Sequence, residues 1–166
     1  MKTIAYIIFL CTAFSGSVAD AQSKADQIFD TFRNKPGVTY FAFTKDMKDA
    51  FDINLEDEGK EIKGDLHEIR LLSYNPAKGK LDGEGFLKRA VYMLPGSYKQ
   101  LVTAGSGDDD AEIWMLGNKK KASEFHVFVK NGNHEGMCFL ISFYGDFFMD
   151  DAEGIKSIGT SLSLDL

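Results

Sequence analysis

Two apolar runs on either side of a polar, glycine-containing turn set the architecture of this chain. Residues 123–130 place Phe125, Val127 and Val129 on one side and His126, Phe128 and Lys130 on the other. After Asn131-Gly132-Asn133-His134-Glu135-Gly136 comes the run 137–148, with Met137, Phe139, Ile141 and Phe143 on one face. Cys138, Leu140, Ser142 and Tyr144 take the opposite face. Alternating residues flanking such a turn predict a β-hairpin. The second run is apolar on both faces, and a strand of that kind is central in its sheet and covered on each side. Residues 138–144 are therefore expected in the middle of a sheet.

The rest of the chain supplies what would cover it. Ala25, Ile28, Phe29 and Phe32 form one helical stripe behind Ser23, and Asn34-Lys35-Pro36-Gly37 ends it. Residues 38–43 are β-branched and aromatic and predict a strand. Thr44 is placed to cap a short helix sharing Met47, Ala50 and Phe51 on one face. Residues 52–64 are acidic and poor in apolar side chains. A strand follows over 67–74, then a loop, then a helix capped by Asp82 with Phe86, Leu87, Ala90, Val91 and Leu94 as its buried stripe. Strands are expected over 98–104 and 112–116, the latter holding the single Trp114. A last helix behind Asp150 and Glu153 presents Ile155, Ile158 and Leu162. Helices early and consecutive strands late predict an α+β fold, a two-layer sandwich. Its sheet is mostly antiparallel, with helices packed on one face, and the early strand–helix–strand would supply a parallel pair.

The first 21 residues carry an address. Lys2 precedes an uncharged apolar run from Ile4 to Phe14, and Ala19-Asp20-Ala21 supplies small residues two apart. That is the form of a cleaved export signal, too short for the ~20 residues a bilayer crossing needs. Cleavage after Ala21 would leave residues 22–166 as a single domain, exported to the periplasm or beyond. No stable membrane insertion is expected once the signal is removed. The net charge of −6 and a pI near 5.0 speak against nucleic acid or anionic lipid as a partner. Cys11 lies in the signal, so Cys138 would stand alone, without an internal disulfide. Of the fourteen phenylalanines, the twelve outside the signal provide the core instead.

No catalytic signature emerges. Cys138 heads the most apolar strand, where a free cysteine acts as a small hydrophobe rather than a nucleophile. His67, His126 and His134 lack zinc spacing, though His126 and His134 flank the hairpin turn and with Glu135 make a thin metal candidate. Asp108, Asp109 and Asp110 make an oxygen-rich candidate for calcium without EF-hand spacing. Gly83-Glu84-Gly85 and Gly105-Ser106-Gly107 lack the ends of phosphate-binding loops. No cofactor is expected. Phe147 and Phe148 either pack onto the last helix or, if exposed, mark a contact surface.

The order of pieces resembles a known family. A signal and a short helix ending in Phe32 and Gly37 precede the strand 38–43 running into Thr44-Lys45-Asp46-Met47. Ile69-Arg70-Leu71-Leu72-Ser73-Tyr74, Tyr98-Lys99-Gln100-Leu101-Val102 and Leu140-Ile141-Ser142-Phe143-Tyr144-Gly145-Asp146 complete it. This resembles the small secreted bacterial family numbered 4252 among domains of unknown function. The resemblance covers nearly all of residues 22–166 and implies an envelope protein. It brings no catalytic residues with it. The expectation is a non-enzymatic binding or interaction module of the cell envelope, with an envelope protein as its partner. The alternatives are an envelope hydrolase using carboxylates, or a small regulatory partner in an envelope stress system.

Overall fold

The structure, a computed structural model, describes residues 25–45, 64–101, 111–130 and 136–164. Helix α1 (Asp26–Phe32) leads into strand β1 (Val38–Thr44), then β2 (Asp65–Tyr74), a 3-10 turn (Pro76–Lys78) and helix α2 (Gly83–Tyr92). Strands β3 (Lys99–Leu101), β4 (Ala111–Gly117), β5 (Lys121–Lys130) and β6 (Cys138–Phe148) follow. A second 3-10 turn (Met149–Asp151) and helix α3 (Ala152–Leu164) complete the order.

The strands form one six-stranded sheet in the order β1-β2-β6-β5-β4-β3. Every pairing among them is antiparallel, so β1 and β2 do not form the parallel pair expected from the early strand–helix–strand. The helix expected around Met47, Ala50 and Phe51 lies outside the described residues. β5 and β6 make the anticipated hairpin, with Val127 opposite Ile141. β6 lies between β2 and β5, and Cys138 through Phe143 are all buried.

Both faces of β6 are covered because its side chains alternate between two cores. Phe139, Ile141 and Phe143 join Ile69, Leu71, Phe125 and Val127 under α3, which contributes Ile155 and Ile158. Cys138 and Leu140 join Leu72, Tyr74 and Phe128 on the other face, under α1 and α2. The α+β class and the antiparallel sheet are as expected. The helices, however, divide between the two faces rather than share one, so the layers number three. The apolar stripes of the sequence show that each helix has a buried side; they do not say which face receives it.

Local chemistry fixes these helices. The Asp82 carboxylate accepts the Gly85 N–H at 2.6 Å and caps α2. Asp150 is not the cap expected of it: the 3-10 turn leading into α3 has Phe148 at its N-cap, and the Asp151 carboxylate reaches back to accept the Phe148 N–H at 2.8 Å. Glycine permits two close approaches. A Cβ on Gly83 would stand 2.6 Å from the Cys138 sulfur, and one on Gly159 would meet three Val127 side-chain carbons at 3.1–3.2 Å. Tyr74 fastens the loop after β2, its hydroxyl donating to the Leu81 carbonyl at 2.6 Å and accepting the Leu81 N–H at 2.9 Å.

Candidate functional site

Register assembles a polar seam on the α1 side of the sheet. Arg70, Ser142, His126 and Trp114 lie side by side across β2, β6, β5 and β4. The next row holds Glu68, Tyr144, Glu124 and Leu116. Register shifts fall beside these rows, between Leu66 and Glu68 on β2 and between Ala122 and Glu124 on β5. Against β4, β5 carries an extra residue, Ser123, which turns the strand so that Ala122 and Phe125 share one core while Glu124 faces the other way.

Arg70 organises one half of the seam. Its guanidinium donates to Glu68 twice, at 2.8 and 3.0 Å, and pairs with Asp26 reaching down from α1. It also stacks over the Tyr144 ring at 4.7 Å. Burial raises the Asp26 carboxyl above its ordinary value even against the pull of Arg70. Burial likewise drives the Tyr144 phenol far up. For Arg70 burial acts to lower the value, and the Glu68 hydrogen bonds with the surrounding negative groups overcome it, so the guanidinium stays charged.

The other half has the outline of a hydrolytic relay. Ser142 Oγ lies 2.6 Å from His126 Nδ1, and His126 Nε2 lies 3.3 Å from Glu124 Oε2. Tyr98 donates to the same Glu124 oxygen at 2.7 Å. The His126–Glu124 approach is close enough for an ion pair but not aligned for a hydrogen bond, and Nε2 has no hydrogen-bond partner. A relay of this kind works on a substrate that reaches its nucleophile. Here Ser142 and His126 are 0 % exposed and Glu124 is 8 %. Buried on adjacent strands, with the Tyr98 and Tyr144 rings beside His126, these groups hold one another in place.

The second feature is open. A groove of about 550 Å³ runs between α2 and the sheet. Leu87 and Val91 of α2 and Phe128 of β5 give it apolar walls. Glu84, Lys88, Glu112 and Lys130 lie along its rim, and Tyr92, 90 % exposed, stands beside it. Its volume falls in the ~300–1,000 Å³ range of small-molecule sites.

The residues singled out from sequence are scattered. His134, Glu135, Asp108, Asp109 and Asp110 lie outside the described residues. His126 is buried in the seam. Among the described residues no group of three or more His, Cys, Asp or Glu side chains is arranged to hold a metal ion. Phe147 is 1 % exposed and belongs to the core under α3, so it offers no contact surface. Phe148 is 47 % exposed, with Lys121 Nζ 5.7 Å from its ring. Burial pushes the Cys138 thiol up to about 11. Sequence reading missed the seam, although it had a signal. Glu68 and Arg70, Glu124 and His126, Ser142 and Tyr144 each stand two apart on a strand, which puts each pair on one face.

Fold and seam together define a single-sheet α+β protein whose most reactive-looking groups are engaged with one another. The chain matches the family described as Domain of unknown function (DUF4252) over residues 32–154, and it belongs to that family. Comparison with curated proteins and with solved structures finds no match. Among the described residues no helix is long and apolar enough to cross a membrane.

Proposed function

We propose that this chain is an exported, non-enzymatic binding or interaction module of the bacterial cell envelope. The observation that carries the reading is the complete burial of Ser142 and His126. Among the described residues, the Ser142–His126–Glu124 array, which has the spacing of a nucleophile, a base and an orienting carboxylate, has no path to a substrate. The carboxylates of the seam are engaged too: Asp26 and Glu68 hold Arg70, and Glu124 takes the Tyr98 hydroxyl. Among the described residues, the groove beside α2 is open to a partner. Export rests on the signal pattern of residues 1–21.

Two measurements test this. Residues 22–166 are assayed with chromogenic esters, phosphomonoesters and glycosides. No turnover above buffer is expected, and turnover abolished by Ser142→Ala would overturn the non-enzymatic reading. The full chain, expressed in a bacterium, is fractionated and its N-terminus determined. Gln22 as the first residue in the envelope fraction is expected, whereas an intact leader in the cytoplasm would overturn export.

A further inference from the structure

We infer that β1 is the contact strand of a two-fold homodimer. Its open edge pairs antiparallel with β1 of a second copy about Ala42, which joins two six-stranded sheets into one continuous sheet. This goes beyond the binding-module reading and does not depend on it.

Among the described residues β1 pairs with β2 alone, over Val38–Thr44 and without a register shift. The Asn75 N–H donates to the Gly37 carbonyl at 2.8 Å, so Gly37 turns its backbone groups to β2. Bonded and non-bonded pairs alternate along an antiparallel ladder, so Thr39, Phe41 and Phe43 do the same. Val38, Tyr40, Ala42 and Thr44 turn theirs outward. The Val38 N–H donates to the Lys35 carbonyl at 3.2 Å. Tyr40, Ala42 and Thr44 are each left with an outward N–H and C=O, a row that another strand completes.

The strand is its own complement. In an antiparallel pairing about Ala42, Ala42 meets Ala42 of the second copy and Tyr40 meets Thr44, so every outward group finds a partner. Residues 38–44 carry no charge, and two copies of a chain with a net charge of −6 meet there without opposing like charges. A dyad at Tyr40 would instead set Lys35 against Lys45 and call on the Val38 N–H, which is taken. The sheet face on the α3 side favours the same register. There Phe41 is 44 % exposed and stacks on Phe43, with ring centroids 6.3 Å apart. About the Ala42 dyad, Phe41 of each copy stands opposite Phe43 of the other at a non-bonded position, where cross-strand side chains come closest. The other margin of the sheet is guarded: β3 spans only Lys99–Leu101 and carries a lysine. A closed two-fold contact of one patch with itself is also the commonest form of self-assembly.

Residues 22–166 are sedimented over a hundredfold range of concentration. A reversible dimer is expected, with the Tyr40 and Ala42 amides protected from hydrogen exchange in it. Ala42→Pro removes an outward N–H and leaves the bonds to β2 in place, so it should give a monomer whose circular dichroism is unchanged. Phe41→Lys should weaken association at least tenfold, and Lys99→Glu on β3 should leave it as it is. In a Cys138→Ala background, oxidation of Ala42→Cys should link two chains, whereas oxidation of Thr39→Cys should not. A monomer at every concentration would overturn the inference. The Ala42 amide then tells what the edge is for: protected, it is covered by the chain's own residues; exchanging freely, it is left open for an extended segment of another protein. A dimer untouched by Ala42→Pro and Phe41→Lys would place the contact elsewhere and overturn the inference too. None of those results touches the non-enzymatic reading, which stands or falls on the substrate assay.

Discussion

At the first residue of β6 the thiol of Cys138 points at the Gly136 carbonyl 3.5 Å away, beneath the glycine that starts α2. Burial pushes its pKa up from 9.0 to about 11, so at neutral pH the thiolate is scarce as well as out of reach. In residues 22–166 an aromatic disulfide reagent at pH 8 should leave the native thiol unmodified and react with one equivalent after unfolding in guanidinium. Rapid native labelling would show the sulfur to be accessible. The same shift sets a pH dependence. The folded thiol holds its proton more tightly than the unfolded one. Its contribution is therefore whole below pH 9 and is lost as pH climbs from 9 toward 11, by up to about 1.4 kcal/mol per unit. Tyr144, raised by burial, acts in the same direction at higher pH. Cys138→Ala should flatten the fall in urea-melt stability between those limits; an unchanged slope would assign the loss elsewhere. In the seam, Ser142→Ala leaves His126 Nδ1 buried without its partner and should cost about 1–3 kcal/mol. With His126→Phe already present, the same change should cost under about 0.5 kcal/mol, because the group it strands is gone. Equal costs in both backgrounds would mean that the serine and histidine are not coupled. These residues were legible singly in the sequence, since Ser142 and Tyr144 share a face by strand parity alone. Their meeting with Arg70 was not, because that depends on β2 pairing with β6.

Single elements were the most legible part of the fold because their signals are local. Asp82 was readable as a cap from its place before a helical stripe, and it caps α2. Asp82→Ala should therefore cost about 1 kcal/mol and lower the melting temperature, while Asp82→Asn, which keeps an acceptor for Gly85, should lose less. The face each helix takes was hidden. α1 and α2 lie on the side of Leu140 and α3 on the side of Ile141, a choice made by connections and handedness that no stripe encodes. The close seat of α3 was hidden too, since Gly159 reads in sequence only as a weak helix former. Leu there would gain up to ~1 kcal/mol of helix propensity. It must also fit where even a Cβ meets Val127, a buried β-branched residue stiff about χ1. Overpacking of this kind costs about 1–3 kcal/mol, so Gly159→Leu should be destabilising on balance in a urea melt. A gain in stability would show that α3 can lift from β5 without loss.

On the scale of the whole molecule, stability should be graded outward from β6. Its backbone is bonded to β2 on one side and β5 on the other, and helices cover both of its faces. β3 is the opposite case: among the described residues Lys99–Leu101 lie at the sheet margin and pair with β4 alone. An edge strand is paired on one side only, which leaves few contacts to hold its hydrogen bonds closed. Local opening follows contact density, so an amide at the margin exchanges through small fluctuations, whereas one between two paired strands waits for cooperative unfolding. Phe139 through Phe143 should accordingly exchange slowest, with protection close to the global unfolding free energy. Their partners Leu71 and Leu72 on β2 and Val127 and Phe128 on β5 should come next, and Lys99–Leu101 should exchange first. Because β2 and β6 lie far apart in sequence, the protection of Leu71 and Leu72 reports a contact made only in the complete sheet. Native-state hydrogen exchange read by NMR resolves this order. Exchange of β6 amides as fast as those of β3 would mean that the centre of the sheet is not where the chain is held together.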